Sequence, residues 1–352
     1  MTKETESASG AAQGARRAAN FDTARAVLLD KSLCRAQRHA SSNVMIFLQE
    51  NIINLSSQHL LIAGVALAVV VLGTATPSHA QALGWEGETG VFVTPLAYTA
   101  ASENQKVHPV VAYHYLNAGS VIGDFHEASI TVGFLNRFEM GYTHEFHSQG
   151  NDKGLSPLWQ NGFEIFHGKA MVIQENYHGE KWIPAISVGF MARQNVRNVG
   201  NLKFAPGGGI SATDSGKANG DIYMVGSKQI SQIKLIPVIL TGGVRGTNAE
   251  EWGMAGNAPD WKARAFGSVA LPFRLPGGHS IIFASEAAQQ PHHPLNFPNQ
   301  NFPTTLTYAA RFIPAKYHFN LDVGVAQIAG KVVPGTDLKA RHQIGAQISW
   351  SF

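Results

Sequence analysis

From residue 107 to the C-terminal Phe352, apolar and polar residues take turns with a period of two, and this pattern most constrains the fold. In ASITVGFLNRFEMGYTHEF, Ile130, Val132 and Phe134 alternate with Ser129, Thr131 and Gly133. Leu135, Asn136 and Arg137 reverse the chain, and Phe138, Met140, Tyr142 and Phe146 then alternate with Glu139, Gly141, Thr143 and Glu145. A period of two is a strand with one oily and one wet face, whereas a helix repeats every 3.6 residues. The same alternation recurs at 182–193, 235–246, 261–273, 304–312, 317–327 and 341–352, and more weakly at 107–116, 161–174, 221–230 and 278–288.

The connections alternate as well. Short ones fall near 135–137, 175–181, 231–234, 274–277 and 313–316. Long ones, rich in Gly, Asn, Pro and charge, fall near 117–125, 148–160, 194–220, 247–260, 289–303 and 328–340. A soluble sandwich has no reason for this rhythm. An outer-membrane barrel does, with short periplasmic turns and long extracellular loops. Closure also removes the sheet edges whose unpaired backbone groups lipid does not tolerate. The expected fold is therefore all-β: a transmembrane antiparallel up-and-down β-barrel of about 12 strands, between 10 and 14. Trp182, Trp261, Tyr317, Trp350 and Phe352 stand at strand ends, as interfacial aromatic girdles do.

The region before the barrel reads in three parts. Residues 1–44 are rich in Ala, Ser and Arg and read as a disordered or mis-assigned extension, with Met45 a candidate true start. Residues 45–80 read as a signal peptide: the apolar run LLIAGVALAVVVLG (60–73) precedes the small residues Ser78 and Ala80. The run is shorter than the roughly 20 residues that cross a bilayer. Residues 81–106 form an N-terminal segment. Within it GVFVTPLAY carries Pro95, which a central strand tolerates badly, so the segment is expected to be plug-like or periplasmic, or an extra strand. The barrel occupies 107–352. Cys34, the one cysteine, precedes the mature part, so disulfides are not available to it. Beyond residue 80 there remain 20 Lys and Arg against 19 Asp and Glu, a balance with no nucleic-acid footprint.

The stretches GKAMVIQENYHGEKWIPAISVGF, GDIYMVGSKQI, LTGGVRGTNAEEWGMAG and QIGAQISWSF resemble a bacterial outer-membrane β-barrel family known only as a domain of unknown function. More distantly they resemble the outer-membrane barrel proteins of exopolysaccharide operons. The resemblance covers roughly residues 160–352. It implies location and architecture, and it supplies no catalytic residues.

Nothing in the residues makes a strong case for chemistry. HEFH (144–147) spaces its histidines by three rather than four, and on a strand His144 and His147 face opposite ways. His292 and His293 read as loop polarity, so neither a metal nor a cofactor is expected. There is no G-x-S-x-G, HSQGN (147–151) lacks the order of a hydrolase signature, and GGG (207–209) follows no strand of phosphate-loop type. Glu139 and Glu145 share a face but lie about 20 Å apart along a strand, too far for a catalytic pair. An enzyme ranks third among the readings.

The residues expected to line the lumen are Arg137, Glu139, Arg193, Arg245, Arg264, Glu286, Arg311, Asp322 and Arg341, with Glu145 and Lys262 on the same face. They read either as a salt-bridged filling or as a constriction with mild anion preference. The leading function is a narrow passive channel or an export port, with a small anionic solute or a polysaccharide as cargo. A non-transporting structural or surface-binding barrel is the alternative. The remaining partners are outer-membrane lipid and the barrel-insertion machinery. The closing RHQIGAQISWSF points Ile344, Ile348 and Trp350 to lipid and Arg341, Gln343 and Gln347 inward. With the terminal Phe352, those three apolar residues resemble the signal that the insertion machinery reads.

Overall fold

The computed structural model describes residues 83–100, 107–152, 159, 161–196, 202–204, 210–212, 217–231, 237–254, 256–290, 304–333 and 336–352. The expected extension (1–44) and signal peptide (45–80), Cys34 among them, and His292 and His293 lie outside the described residues.

Each alternating stretch forms a strand of the barrel wall. In chain order these are β1 (His108–Asn117), β2 (Gly123–Phe134), β3 (Phe138–Gln149), β4 (Phe163–Ile173) and β5 (Ala185–Val196), then, after a loop hairpin, β8 (Lys217–Ile230), β9 (Val238–Glu250), β10 (Gly256–Arg274), β11 (Ser280–Ala288), β12 (Thr305–Ile313), β13 (Phe319–Gln327) and, after a second loop hairpin, β16 (Gln343–Ser351). The hairpins are β6 (Leu202–Phe204) with β7 (Ile210–Ala212), and β14 (Ala329–Val333) with β15 (Thr336–Ala340). Each wall strand pairs antiparallel with its neighbour in the chain, and β1 closes on β16 from Val110 opposite Ser351 to Leu116 opposite Gly345. The result is a closed barrel.

The wall is inverted relative to a water-soluble protein. Ile130, Met140, Phe190, Ile222, Val244, Phe283, Val323 and Ile344 are exposed on the outside, while Glu127, Thr131, Glu145, Arg193, Thr307 and Asn320 are buried within. An apolar exterior and a polar interior are stable only where lipid surrounds the sheet, so this is an outer-membrane barrel. Trp261 lies toward the long-loop end, and Trp182, Tyr317 and Trp350 at the short-turn end. Trp350 stacks on Phe319 with ring centroids 5.8 Å apart.

The turn after β2 shows how the short connections work. Leu135 and Asn136 both have positive φ (56° and 50°), and the Arg137 N–H donates to the Phe134 carbonyl at 3.2 Å. Positive φ at both central residues matches the turn to the twist of its strands.

Two expected long loops are instead short. Strands β1 and β2 run on to Asn117 and Gly123, joined through the helical turn Gly119–Ile122, and β9 and β10 extend to Glu250 and Gly256. The polar residues there that read as loop continue the ladder past the apolar belt. Gly90–Tyr98 is not part of the wall: it belongs to no strand, and its β-bridge among the described residues is Gly90 with Pro95.

Candidate functional site: the barrel lumen

Residues 83–100 lie inside the barrel. The segment folds on itself: the Trp85 N–H donates to the Phe92 carbonyl at 2.6 Å, Val91 N–H to Thr94 at 2.9 Å and Leu96 N–H to Thr89 at 3.0 Å. Leu83, Trp85, Phe92 and Ala97 are buried. Trp85 meets the inward His114 edge-on, with centroids 5.8 Å apart. The buried apolar core therefore sits in the lumen and draws on this segment, on inward residues such as Ile165 and Val225, and on Trp159 and Trp252.

Inward side chains from much of the wall hold the segment by its backbone. Glu286 on β11 accepts the N–H groups of Phe92 (3.1 Å), Val93 (3.1 Å) and Thr94 (2.9 Å), and the Thr94 hydroxyl (2.6 Å). Glu139 on β3 accepts the N–H groups of Thr89 (2.8 Å) and Ala100 (2.7 Å) and the Thr89 hydroxyl. Its charge is met by Lys169 on β4 at 3.2 Å, and Lys169 also donates to the carbonyls of Thr89 and Leu96 at 2.8 and 3.2 Å. Arg311 on β12 donates to the carbonyls of Gly90 (3.2 Å), Leu83 (3.3 Å) and Val91 (2.6 Å), and pairs with Asp322 of β13 at 2.6 Å. Ser187, Thr131, Thr143 and Gln347 donate to the carbonyls of Ala97, Gly87, Glu86 and Leu83.

The strongest tether is ionic. Arg193 of β5 grips the Glu86 carboxylate through Nε at 2.5 Å and Nη2 at 2.7 Å, and reaches Asp221 of β8 at 2.8 Å. Arg245 of β9 adds a second cation 3.7 Å from Asp221 and stands over the Trp252 ring at 5.8 Å. A two-pronged guanidinium–carboxylate pair fixes direction as well as charge. Arg264 lies opposite Arg245 on β10, and its Nε donates to the Gln290 carbonyl at 2.9 Å.

Of the residues expected in the lumen, Glu139, Glu145, Arg193, Arg245, Glu286, Arg311 and Asp322 are buried there, and Arg264 faces inward, half-buried. Arg137 and Arg341 are corrections, and Lys262 keeps an inward register position only near the exposed long-loop end of β10. Arg137 belongs to the β2–β3 turn and donates to the Met171 carbonyl at 3.4 Å. Lys262 is exposed and pairs with Asp260 at 3.5 Å. Arg341 is exposed just before β16. For Arg137 and Arg341, strand parity was carried past the strand's end. Ile344 and Ile348 face outward as expected, and the Phe352 N–H donates to the Pro109 carbonyl at 3.1 Å, so the chain end is fastened to β1. His144 and His147 do face opposite ways, with His147 buried and 2.9 Å from the Ile122 carbonyl.

Sequence reasoning missed Lys169, Asp221, His114 and Glu127; the last two form one row with the expected Glu145, directly opposite one another on β1, β2 and β3. The signal for Lys169 and Asp221 was weak alternation in their strands, which left their facing unread.

No family model matches the chain, and no curated protein matches it. Among solved structures it is similar to the KdgM porin (9% identity, TM-score 0.40, covering 69% of this chain and 99% of that one). It is similar also to the NanC porin (9%, TM-score 0.38, 69% and 98%). A third likeness is to Wzi of Escherichia coli, described as a carbohydrate-binding β-barrel involved in capsule assembly (11%, TM-score 0.25, 72% and 58%). The membrane placement of this chain rests on its own closed sheet and apolar belt.

Proposed function

We propose that the protein is a non-enzymatic outer-membrane passage for a small solute, closed by residues 83–100 and opened when that segment is displaced. The observation that carries this reading is the way the segment is held. It is a piece of chain separate from the wall, fastened by ion pairs and backbone hydrogen bonds to Arg193, Glu139, Glu286 and Arg311. Wall side chains alone fill a barrel of about eight strands; this wider wall takes in a separate segment.

Single-channel conductance of the refolded protein in planar bilayers tests this. The full barrel is expected to stay mostly closed, and a variant lacking residues 83–100 to give steady steps. Folding of each is checked by heat-modifiable gel mobility. A folded deletion variant without steps would remove the passage and leave the surface-binding reading, which the filled lumen favours.

A further inference from the structure

The lumen is not polar all the way round. Ile239 lies opposite Ala270, Ala270 opposite Ala284, and Ala284 opposite Ala309, in one row across β9 to β12. All four line a cavity of about 300 Å³, with Ile282 beside them. On the other side stand Val91, Leu96 and Tyr98 of the in-barrel segment. The three alanines set the wall back where larger side chains would meet the segment, so the room comes from register as much as from residue type. By position along the strands the cavity lies in the half nearer the short turns.

The polar groups at its edge are already engaged. The Tyr98 hydroxyl donates to Glu175 at 2.8 Å, and Thr89 is held by Glu139 through both its N–H and its hydroxyl. Arg311 and Asp322 pair with each other at 2.6 Å. A sugar entering here would trade its water for partners that are taken, a loss for each hydroxyl. An apolar molecule would lose nothing of the kind and would gain contact with the alanine and isoleucine wall. Apolar cavities of about 150 Å³ hold benzene.

We propose that this cavity is a binding site for small uncharged apolar molecules of one or two rings. It goes beyond the passage proposed above, because binding is read without conduction. The full-length protein, refolded into lipid nanodiscs, is titrated with fluorobenzene and followed by fluorine NMR. Partition into lipid rises linearly with concentration, whereas site binding saturates. Saturable binding is expected for the wild type, weakened ~tenfold or more in Ala284→Phe, whose ring occupies the site. Ala309→Ser keeps the volume, adds a hydroxyl to the lining and is expected to weaken binding several-fold. It carries the comparison if Ala284→Phe fails the gel-mobility test of folding. Uptake that is linear and equal in wild type and variants would overturn the proposal. So would saturable binding of glucose that Ala284→Phe abolishes.

Discussion

Arg193 is fully buried and answers two carboxylates at once, Glu86 of the in-barrel segment and Asp221 of β8. Taking one partner out of such a set leaves the others charged and dry, which costs about 3–5 kcal/mol. Arg193→Met is therefore expected to lower the urea midpoint of the refolded barrel markedly, and adding Glu86→Gln should recover part of the loss. Unchanged midpoints would mean that water reaches the pair. Glu127 and Glu145 make the opposite case. They lie directly opposite each other, both fully buried, and among the described residues none of their carboxylate oxygens has a hydrogen-bond partner. Two carboxyl groups buried opposite each other without partners are costly to keep out of water. Glu127→Gln supplies an amide donor where there was a second acceptor, so it should raise thermal stability by about 1 kcal/mol. A lower melting temperature would show that the pair needs both acids. Neither effect could be read from the chain, because each depends on which inward residues meet.

At the scale of elements, the in-barrel segment and the closing strand depend on close fits. A Cβ at Gly133 would run into the Ala100 carbonyl where the segment leaves toward β1. Gly133→Val is expected to leave the barrel folded, loosen the segment and raise conductance above wild type. Equal conductance in a folded variant would place the opening elsewhere. At the other end, β16 joins β1 to β13, and its last residue is tied down twice. The Phe352 N–H binds Pro109, and His108 Nδ1 lies 2.8 Å from the Phe352 carbonyl. Deleting Phe352 should reduce assembled barrel in the membrane fraction without changing the conductance of the molecules that do assemble. Normal assembly would remove the role given to the chain end. The strands themselves were legible from alternation, since an inward Thr and an outward Ile differ in kind. Through Pro95 the segment was legible as plug-like or periplasmic, or as an extra strand, with the choice left open. Its partners lie far along the chain, as with Thr94 and Glu286, 192 residues apart.

For the whole molecule, the lumen charges would act differently with the segment in place and with it displaced, as proposed above. Closed, Arg245 serves Asp221 and the Gln289 carbonyl, and Arg264 serves Gln290. With residues 83–100 removed, both guanidiniums face an aqueous path. In that background Arg245→Glu with Arg264→Glu should move the reversal potential toward cation preference, and an unchanged potential would place them away from the constriction. Alternation along the chain is enough to imply a closed antiparallel wall, an outward apolar belt and the inward placement of most of its charges. A strand's two faces are written in its own residues, whatever its neighbours. The occupied lumen, the charges spent on holding the occupant and the alanine row that opens an apolar cavity beside it emerge once the barrel is assembled. Those features depend on the pairing of residues on different strands, and register and closure set that pairing for the barrel as a whole.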